Sequence, residues 1–398
     1  MLRRIAAIAS VIAIACAVPL FASDPPDLDQ PASNQPWTAE RANAWYSAQP
    51  WFVGSNFISS TAINELEMWQ ADTFDLPTID RELGWAQSLG MNTMRVFLHN
   101  LLWQQDSAGF LKRMDEFLAV ADKHHIRIMF VLLDSVWDPR PKLGRQHAPR
   151  PHVHNSGWVQ SPGADILKDT SHWDTEVKPY IVGVISHFRD DERVLIWDLM
   201  NEPDNDSVQY KDEELSNKGE VALRLLKQEW AWARSARPTQ PLTSGVWKDD
   251  WSEAGLSAMA RFQLEDSDVI TFHCYGPPDD MKKRIASLRR FKRPIICTEY
   301  MARPLGSTFA AILPILKEER VGAYNWGLVS GKTQTIYPWD SWEKSYTSEP
   351  KPWFHDIFHK DGTPYDPAET ELIRKMTQRV AAGLAGECLG PPLSSCRS

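Results

Sequence analysis

The sequence has few of the features that mark metal-binding, nucleic-acid-binding or membrane-spanning proteins. Its five cysteines form no CxxC pair, and no cluster of histidine and cysteine has the spacing of a structural metal site. The formal net charge is −9 and basic residues form no block, which argues against nucleic acid and anionic membrane surfaces as partners. We therefore expect no metal, no cofactor and no integral membrane segment, and we expect a monomer.

The first 23 residues form a predicted export signal. Arg3 and Arg4 supply the positive start, residues 5–15 are apolar, and a cleavage site follows at Ala22. The apolar stretch is too short for a comfortable membrane span. A lipoprotein signal is a second interpretation, in which Cys16 carries the lipid. We therefore expect a secreted or periplasmic protein, either free or lipid-anchored through Cys16.

The rest of the chain is predicted to hold one domain. We expect a linker over residues 24–36, the domain over residues 37–385 and a tail over residues 386–398. Export permits disulfides, and Cys388 and Cys396 are close enough in the tail for a local bridge. Cys274 and Cys297 lie in apolar runs, so both are predicted to be buried free thiols.

Apolar strands alternate with helices along this domain, starting with a short helix after Thr38. Eight apolar, β-branched or aromatic runs predict strands over residues 51–58, 91–98, 127–134, 194–201, 241–247, 269–275, 294–300 and 321–328. Helical spacing is found between them, including residues 77–89, 111–124, 220–234 and 308–319. Near-continuous apolar strands indicate a parallel sheet covered on both faces. Eight of them predict an α/β fold, a closed (β/α)8 TIM barrel, rather than a smaller doubly wound sheet.

Polar and aromatic residues gather at the C-terminal ends of these strands, where barrels of this kind build their active sites. They are Asn56, Arg95, His99, Asp134, Asn201, Glu202, Trp247, His273, Tyr275, Glu299 and Trp326. The connection over residues 135–175 is much longer than the others, so we predict that it forms a lid or a wall of the site. Its His152 and His154 have a spacing that is only a weak indication of a metal.

Two glutamates at strand ends are the candidate catalytic residues. Glu202 ends the fourth strand, in the segment WDLMNEP, and Glu299 ends the seventh, in ICTEY. Strand alternation predicts that Asp198, Met200 and Glu202 point into the barrel, and that Glu299 does so if Cys297 does. Glycoside cleavage requires two such carboxyls, because one protonates the leaving oxygen while the other attacks the anomeric carbon or activates water.

The neighbours of these glutamates predict different roles for them. Arg95 is expected to hold Glu299 ionised, and Tyr275 to donate its hydroxyl to the same carboxylate. Glu202, near aromatic rings and without a cation, is expected to have a raised pKa and to donate the proton. His273 either supports Glu202 or contacts the sugar.

The motifs Asn201-Glu202-Pro203 on strand four and Thr298-Glu299-Tyr300 on strand seven resemble those of the clan A glycoside hydrolases. Within that clan the chain is most similar to family 5, with its cellulase-like and mannanase-like members. Supporting motifs follow in the expected order: GSN at residues 54–56, NTMRVF at 92–97, HCY at 273–275 and Trp326. The resemblance runs from about Trp37 to Trp326.

This resemblance implies a retaining, double-displacement mechanism, with Glu299 as nucleophile and Glu202 as acid and base. It also implies that Trp326 lines the sugar site, through a cis peptide bond to the next residue, while Asn201, directly before Glu202, can by its position hydrogen-bond the sugar 2-hydroxyl. One departure concerns strand three, where many family members have a histidine and this chain has Asp134. Asp134, Trp137 or a histidine of the long loop is expected to replace it.

Four tryptophans near the predicted mouth, Trp103, Trp137, Trp158 and Trp247, are candidates for stacking on sugar rings. An open groove would mean endo action on a β-linked polysaccharide, and β-1,4-mannan or β-1,4-glucan is the favoured substrate. A pocket closed by the 135–175 loop would instead mean exo action on short oligosaccharides. Transglycosylation and a non-catalytic carbohydrate-binding barrel are further alternatives. A metal-dependent hydrolase is disfavoured, because the strand ends offer few histidine and aspartate ligands.

Overall fold

The computed structural model describes residues 35–378, and these form a (β/α)8 barrel. The strands are β1 Val53–Phe57, β2 Thr93–Phe97, β3 Arg127–Asp134, β4 Val194–Asn201, β5 Leu242–Thr243, β6 Ile270–His273, β7 Ile295–Tyr300 and β8 Gly322–Asn325. They pair in parallel in the order β5-β4-β3-β2-β1-β8-β7-β6. Val246, which follows β5, donates to the Thr271 carbonyl of β6 and accepts from His273 N, and these two backbone bonds close the barrel. The barrel prediction is confirmed.

Eleven α-helices occur in the described part of the chain and surround this barrel. They are α1 Ala39–Ser47, α2 Glu65–Trp69, α3 Leu76–Ser88, α4 Asn100–Lys123, α5 Ala164–Lys168, α6 Lys178–Phe188, α7 Lys218–Ser235, α8 Ala258–Asp266, α9 Pro278–Leu288, α10 Phe309–Glu318 and α11 Pro367–Thr377. Thr38 caps α1 as predicted. Helix α4 begins eleven residues before its predicted start, because His99 caps it and a kink at Asp106 joins two helical pieces.

The interior of the barrel is filled in layers. At the N-terminal end, Tyr46 of α1 packs on Phe52, and Met129, Ile296 and Tyr324 belong to the same apolar cluster. Above it lie two hydroxyl pairs, Thr93 with Tyr324 and Thr243 with Thr271. The charged layer of Arg95 and Asp198 follows towards the C-terminal end. This sequence of layers places the buried charges next to the barrel mouth and fills the opposite end with apolar side chains.

A bulge in β7 directs Glu299 into the barrel mouth. Phe272 pairs with Cys297, whereas His273 pairs with Glu299, so Thr298 is an additional residue on β7. Cys297 packs in the large apolar cluster between strands and helices, so the condition on which simple alternation made Glu299 point inward is not met. The additional residue reverses the alternation, and Glu299 therefore faces inward although Cys297 does not. On β4, Met200 is likewise in the helix-side cluster rather than in the mouth.

Several predictions fall on the ends of the chain. The export signal, Cys16 and the bridge between Cys388 and Cys396 lie outside the described residues. Cys274 and Cys297 are buried free thiols, as predicted. Within residues 35–378, no helix is both long enough and apolar enough to cross a bilayer.

Candidate active site

Arg95 of β2 is the centre of a buried polar network at the barrel mouth. The side chain has no solvent exposure, and its Nε donates to Asp198 Oδ2 at 2.9 Å. One terminal nitrogen donates to Glu299 Oε1 at 2.8 Å and to Asn56 Oδ1 at 2.9 Å, and the other donates to Asn201 Oδ1 at 2.7 Å. A guanidinium presents its donors in a rigid fork, so this single side chain fixes four acceptors from three other strands.

Glu299 lies between two donors and is 5% exposed. Its Oε1 accepts from Arg95, and its Oε2 accepts from the Tyr275 hydroxyl at 2.7 Å. Burial raises the pKa of this carboxyl, while the nearby His273 and Arg95 and the Tyr275 hydroxyl oppose that rise. Both carboxylate oxygens thus have a donor that stabilises the ionised form, which suits a nucleophile.

Glu202 lies opposite, on the backbone turn that follows β4, with a left-handed φ of 41°. Its Oε2 accepts from Asn205 Nδ2 at 2.6 Å, and its Oε1 lies 2.8 Å from His273 Nδ1. Burial raises its pKa to about 7, and no cation contacts it directly among the described residues. A carboxyl that is half protonated near neutral pH suits a proton donor that later acts as a base.

His273 connects the two carboxyls. Its Nδ1 faces Glu202, and its Nε2 lies 3.5 Å from Glu299 Oε1. Burial lowers the pKa of this imidazole to about 4, so it is neutral at physiological pH. A neutral ring carries one proton, and only the Nε2–H form avoids directing a lone pair at Glu299. In that form Nδ1 accepts the proton of Glu202, which keeps Glu202 in its acid state.

Asp134, at the end of β3, takes the position where the sequence departs from the family 5 pattern. Its Oδ1 accepts from Asn201 Nδ2 at 2.9 Å, and its Oδ2 accepts from Trp158 Nε1 at 2.7 Å. Burial raises the pKa of this carboxyl to about 7. Asp134 therefore orients Asn201 from one side while Arg95 holds it from the other.

A cavity of about 350 Å³ opens above this network, within the range of small-molecule sites. Glu202, Glu299, Asn201, Asp134, Trp137, Trp158, Trp247, Tyr275 and Trp326 line it, together with His154, Trp339 and His355. We call this space the catalytic cavity. Aromatic rings on its walls and acids on its floor give it the composition of a sugar-binding site.

The structure places five of the predicted residues outside the lining of this cavity: Arg95 and His273, which contact the two glutamates beneath it, and Asn56, His99 and Trp103. Asn56 lies beneath it and orients Arg95. His99 is fully buried, with Nδ1 capping helix α4 and Nε2 bonded to the Gln160 carbonyl. Trp103 packs against Gly183 of α6, on the outer layer. Sequence position gave no sign of this, because the bonds that hold Asn56 and His99 and the packing of Trp103 on α6 depend on residues far away in the chain.

The peptide bond after Trp326 differs from the expectation. The cis bonds within residues 35–378 are Ser161–Pro162 and Lys351–Pro352, so the expected cis bond at Trp326–Gly327 is wrong. Gly327 instead has φ of 82°, and a Cβ there would meet the Asp356 backbone at 2.7 Å. The turn after β8 is thus made by a glycine in close contact with a neighbouring loop.

Several site residues escaped the sequence reasoning. Trp339 and His355 come from the long segment after β8, well beyond the last strand, where no pattern marked them. Asn205 follows the fourth strand by four residues, and its contact with Glu202 depends on the turn. His154 Nδ1 donates to the Tyr337 carbonyl, so it has a structural bond rather than the ligand role its spacing suggested.

Glu202, His273 and Glu299 each place one ligand atom within 4.8 Å of the others, a grouping that can also hold a metal ion. The guanidinium of Arg95 already contacts Glu299. An additional cation here would face that fixed positive charge in a buried setting, where like charges repel strongly. The residues therefore fit an acid, a base and a nucleophile better than a ligand set.

Sequence comparison finds no matching family model and no matching curated protein. Solved structures share the fold. An endo-1,4-β-mannanase from Rhizomucor miehei matches with a TM-score of 0.53 and 16% identity, over 83% of this chain and 95% of that one. GH5_18 from Streptomyces cattleya, in complex with GlcNAc, matches at 0.52 and 10% identity, over 81% and 80%. An exo-β-1,4-mannosidase from Opitutaceae bacterium strain TAV5 matches at 0.53 and 16% identity, over 82% and 59%. The chain thus resembles glycoside hydrolase family 5 in fold.

Proposed function

We propose that this protein is a retaining glycoside hydrolase that cleaves a β-linked glycan, with Glu299 as nucleophile and Glu202 as acid and base. The observation that carries the proposal is the facing pair of buried carboxyls with different partners. Glu299 has two donors, one of them a cation, whereas Glu202 is bonded to a neutral histidine and an amide. This difference assigns the ionised role to Glu299 and the protonated role to Glu202.

The separation of the two carboxyls supports retention. Their nearer oxygens lie within 4.8 Å of each other. Retaining enzymes hold their carboxyls about 5–5.5 Å apart, whereas inverting enzymes need about 6.5–9.5 Å to admit a water. In the proposed reaction, Glu299 attacks the anomeric carbon while Glu202 protonates the departing oxygen. Water then displaces Glu299 after giving its proton to Glu202, so the sugar keeps its original anomeric configuration.

The neighbouring side chains have matching tasks. Arg95 keeps Glu299 ionised in the free enzyme, and Tyr275 stabilises the same carboxylate when it leaves in the second step. Asn201 has an Nδ2 that Asp134 orients, so its remaining N–H is available to the sugar 2-hydroxyl. As substrate we propose a β-1,4-linked mannan or glucan chain, because mannanases and a mannosidase are among the structures that share the fold.

Aryl β-mannosides and β-glucosides test the mechanism. Glu299→Gln should abolish turnover, whereas Glu202→Gln should keep part of it on substrates with good leaving groups, which need little protonation. Glu82→Gln is a matched control, since Glu82 is fully buried outside the cavity and bonded to Ser60. Nuclear magnetic resonance of the first sugar released should show the β-anomer. An α-anomer, or full activity of Glu299→Gln, would overturn the proposal.

A further inference from the structure

Two loops meet above the ends of β1 and β2. These strands lie between β3 and β8 in the sheet, and the segments that follow β3 and β8 contact each other across them. Asn155 N donates to the Thr333 carbonyl at 2.8 Å, and Trp342 Nε1 donates to the His154 carbonyl at 2.8 Å. Trp137 also stacks on Trp342, with centroids 5.4 Å apart. We call the joined segments 150–158 and 333–346 the loop wall.

The loop wall separates the catalytic cavity from the β1 and β2 side of the barrel. Of the described residues that line the catalytic cavity, none follows β1 or β2. Those strands instead line a separate space of about 20 Å³, through Asn56 and Phe57 of β1 and Phe97 of β2. Trp158 and Trp326 border both spaces, with ring centroids 5.9 Å apart. Trp158 is 2% exposed and packs edge-on against Phe97, so this partition is solid.

The partition stands next to the reacting groups. Trp158 donates to Asp134, Asp134 accepts from Asn201, and Asn201 accepts from Arg95, which in turn donates to Glu299. Each of these bonds is between 2.7 and 2.9 Å. The sugar that Glu299 attacks must lie over Asn201. A further sugar beyond it, on the side of β1 and β2, would meet Trp158.

A second cavity lies on the other side of Glu202. It has a volume of about 390 Å³ and shares Glu202, Trp247 and Tyr275 with the catalytic cavity. Its own walls include Trp251, Lys283 and Arg284, but neither Glu299 nor Trp326 lines it. A proton donor faces the leaving group, whereas the nucleophile faces the sugar that is retained on the enzyme. We therefore call this second space the leaving-group cavity.

We infer that the enzyme acts in the exo mode and removes a single sugar from the non-reducing end of its glycan, an inference that rests on the proposed function. The terminal sugar occupies the catalytic cavity against the loop wall, and the rest of the chain extends past Trp247 into the leaving-group cavity. This differs from the endo action that the sequence favoured. The sequence could not show that the long loop after β3 is bonded to a segment much further along the chain, as His152 is to Gln334, 182 residues later.

Hexasaccharides labelled at the reducing end test this with the unmodified mature protein. β-1,4-Mannohexaose and cellohexaose, each labelled, should give a labelled pentasaccharide first and unlabelled monosaccharide in equal amount. Early labelled di-, tri- or tetrasaccharides would overturn the inference. Polysaccharide that is chemically blocked at its non-reducing ends should not be cleaved, and its cleavage would likewise overturn it. Loss of all turnover, on aryl glycosides as well, would instead refute the proposed function.

A variant of the loop wall provides an independent test. Gln334 accepts from His152 N and donates to the carbonyls of Arg150 and Val153, so one side chain links the two segments. Gln334→Ala removes all three bonds, and the ratio of end-blocked polysaccharide cleavage to hexasaccharide cleavage should rise from zero to a measurable value. Lys344→Ala is the control, because Lys344 pairs with Asp340 in its own segment. An unchanged ratio in Gln334→Ala would contradict the role of the wall.

Discussion

Replacing Arg95 tests whether the buried cation controls the ionisation of Glu299. Arg95→Met leaves Asp198 and Glu299 without their cation, and these side chains are 0% and 6% exposed. Removal of one partner from a buried ion pair costs about 3–5 kcal/mol. A domain with a total stability of about 5–15 kcal/mol should remain folded at 25 °C with this loss. Urea unfolding monitored by tryptophan fluorescence measures the change.

The effect on activity has a definite sign. Arg95 lowers the pKa of Glu299 against the opposing effect of burial, so its removal raises that pKa further. The nucleophile must be ionised in the free enzyme, and the acid limb of kcat/KM for an aryl glycoside should therefore move to higher pH. An acid limb that does not move in a folded Arg95→Met protein would refute this reasoning.

Arg234→Met is the matched control for this experiment. Arg234 forms a bidentate pair with the fully buried Asp268, which precedes β6 at the opposite end of the barrel. Its loss should cost a similar amount of stability, about 3–5 kcal/mol. Because Arg234 lies far from the mouth, the acid limb should stay where it is in the unmodified protein. A shift of the acid limb in both variants would indicate general loosening rather than local electrostatics.

Three further results are expected. The basic limb of kcat/KM should lie near pH 7, where Glu202 loses its proton. Asn205→Ala should move this limb to higher pH, because Asn205 donates a hydrogen bond to the ionised form of Glu202. A shift to lower pH would contradict the role of Glu202 as proton donor. Tyr275→Phe should reduce kcat by roughly 10–100-fold, which is the equivalent of one hydrogen bond to a charged group, and should leave urea unfolding unchanged. A drop in kcat of less than twofold would argue against the hydrogen bond from Tyr275 to Glu299. Gly54→Ala should lower the free energy of unfolding by about 3 kcal/mol or more, because a Cβ would meet the Thr93 carbonyl oxygen at 1.8 Å. A thermal unfolding midpoint equal to that of the unmodified protein would contradict the close approach of β1 and β2.

The alternation of strands and helices was readable from the sequence, because apolar periodicity reflects burial directly. Eight strands predicted the barrel, and their C-terminal ends predicted that Arg95, Glu202 and Glu299 lie on one face. The start of the first helix was also predicted correctly from the sequence, because the capping side chain of Thr38 bonds a backbone group only three residues away. Boundaries were less accurate, and α4 shows why: its first turns depend on a cap from His99 and on packing against α6.

The directions of the side chains in the site could not be predicted from strand alternation alone. Simple alternation from Cys297 gave the wrong reason for the inward direction of Glu299, since the additional residue Thr298 reverses it. A bulge arises from pairing with two neighbouring strands, and a single strand's sequence does not contain that register. The same holds for Met200, which alternation placed in the mouth and which packs against the helices.

The sequence by itself determined the fold class, the two glutamates and their polar partners, because these depend on residue type and on order along the chain. Only the tertiary structure decided how the mouth is shaped. The loop wall joins Arg150 and Val153 to Gln334, and the partition joins Phe97, Trp158 and Trp326. These contacts link segments that are far apart in the chain, and nothing in one segment specifies its partner. Whether a glycan can pass through the site is therefore set by packing between distant loops, not by any local pattern.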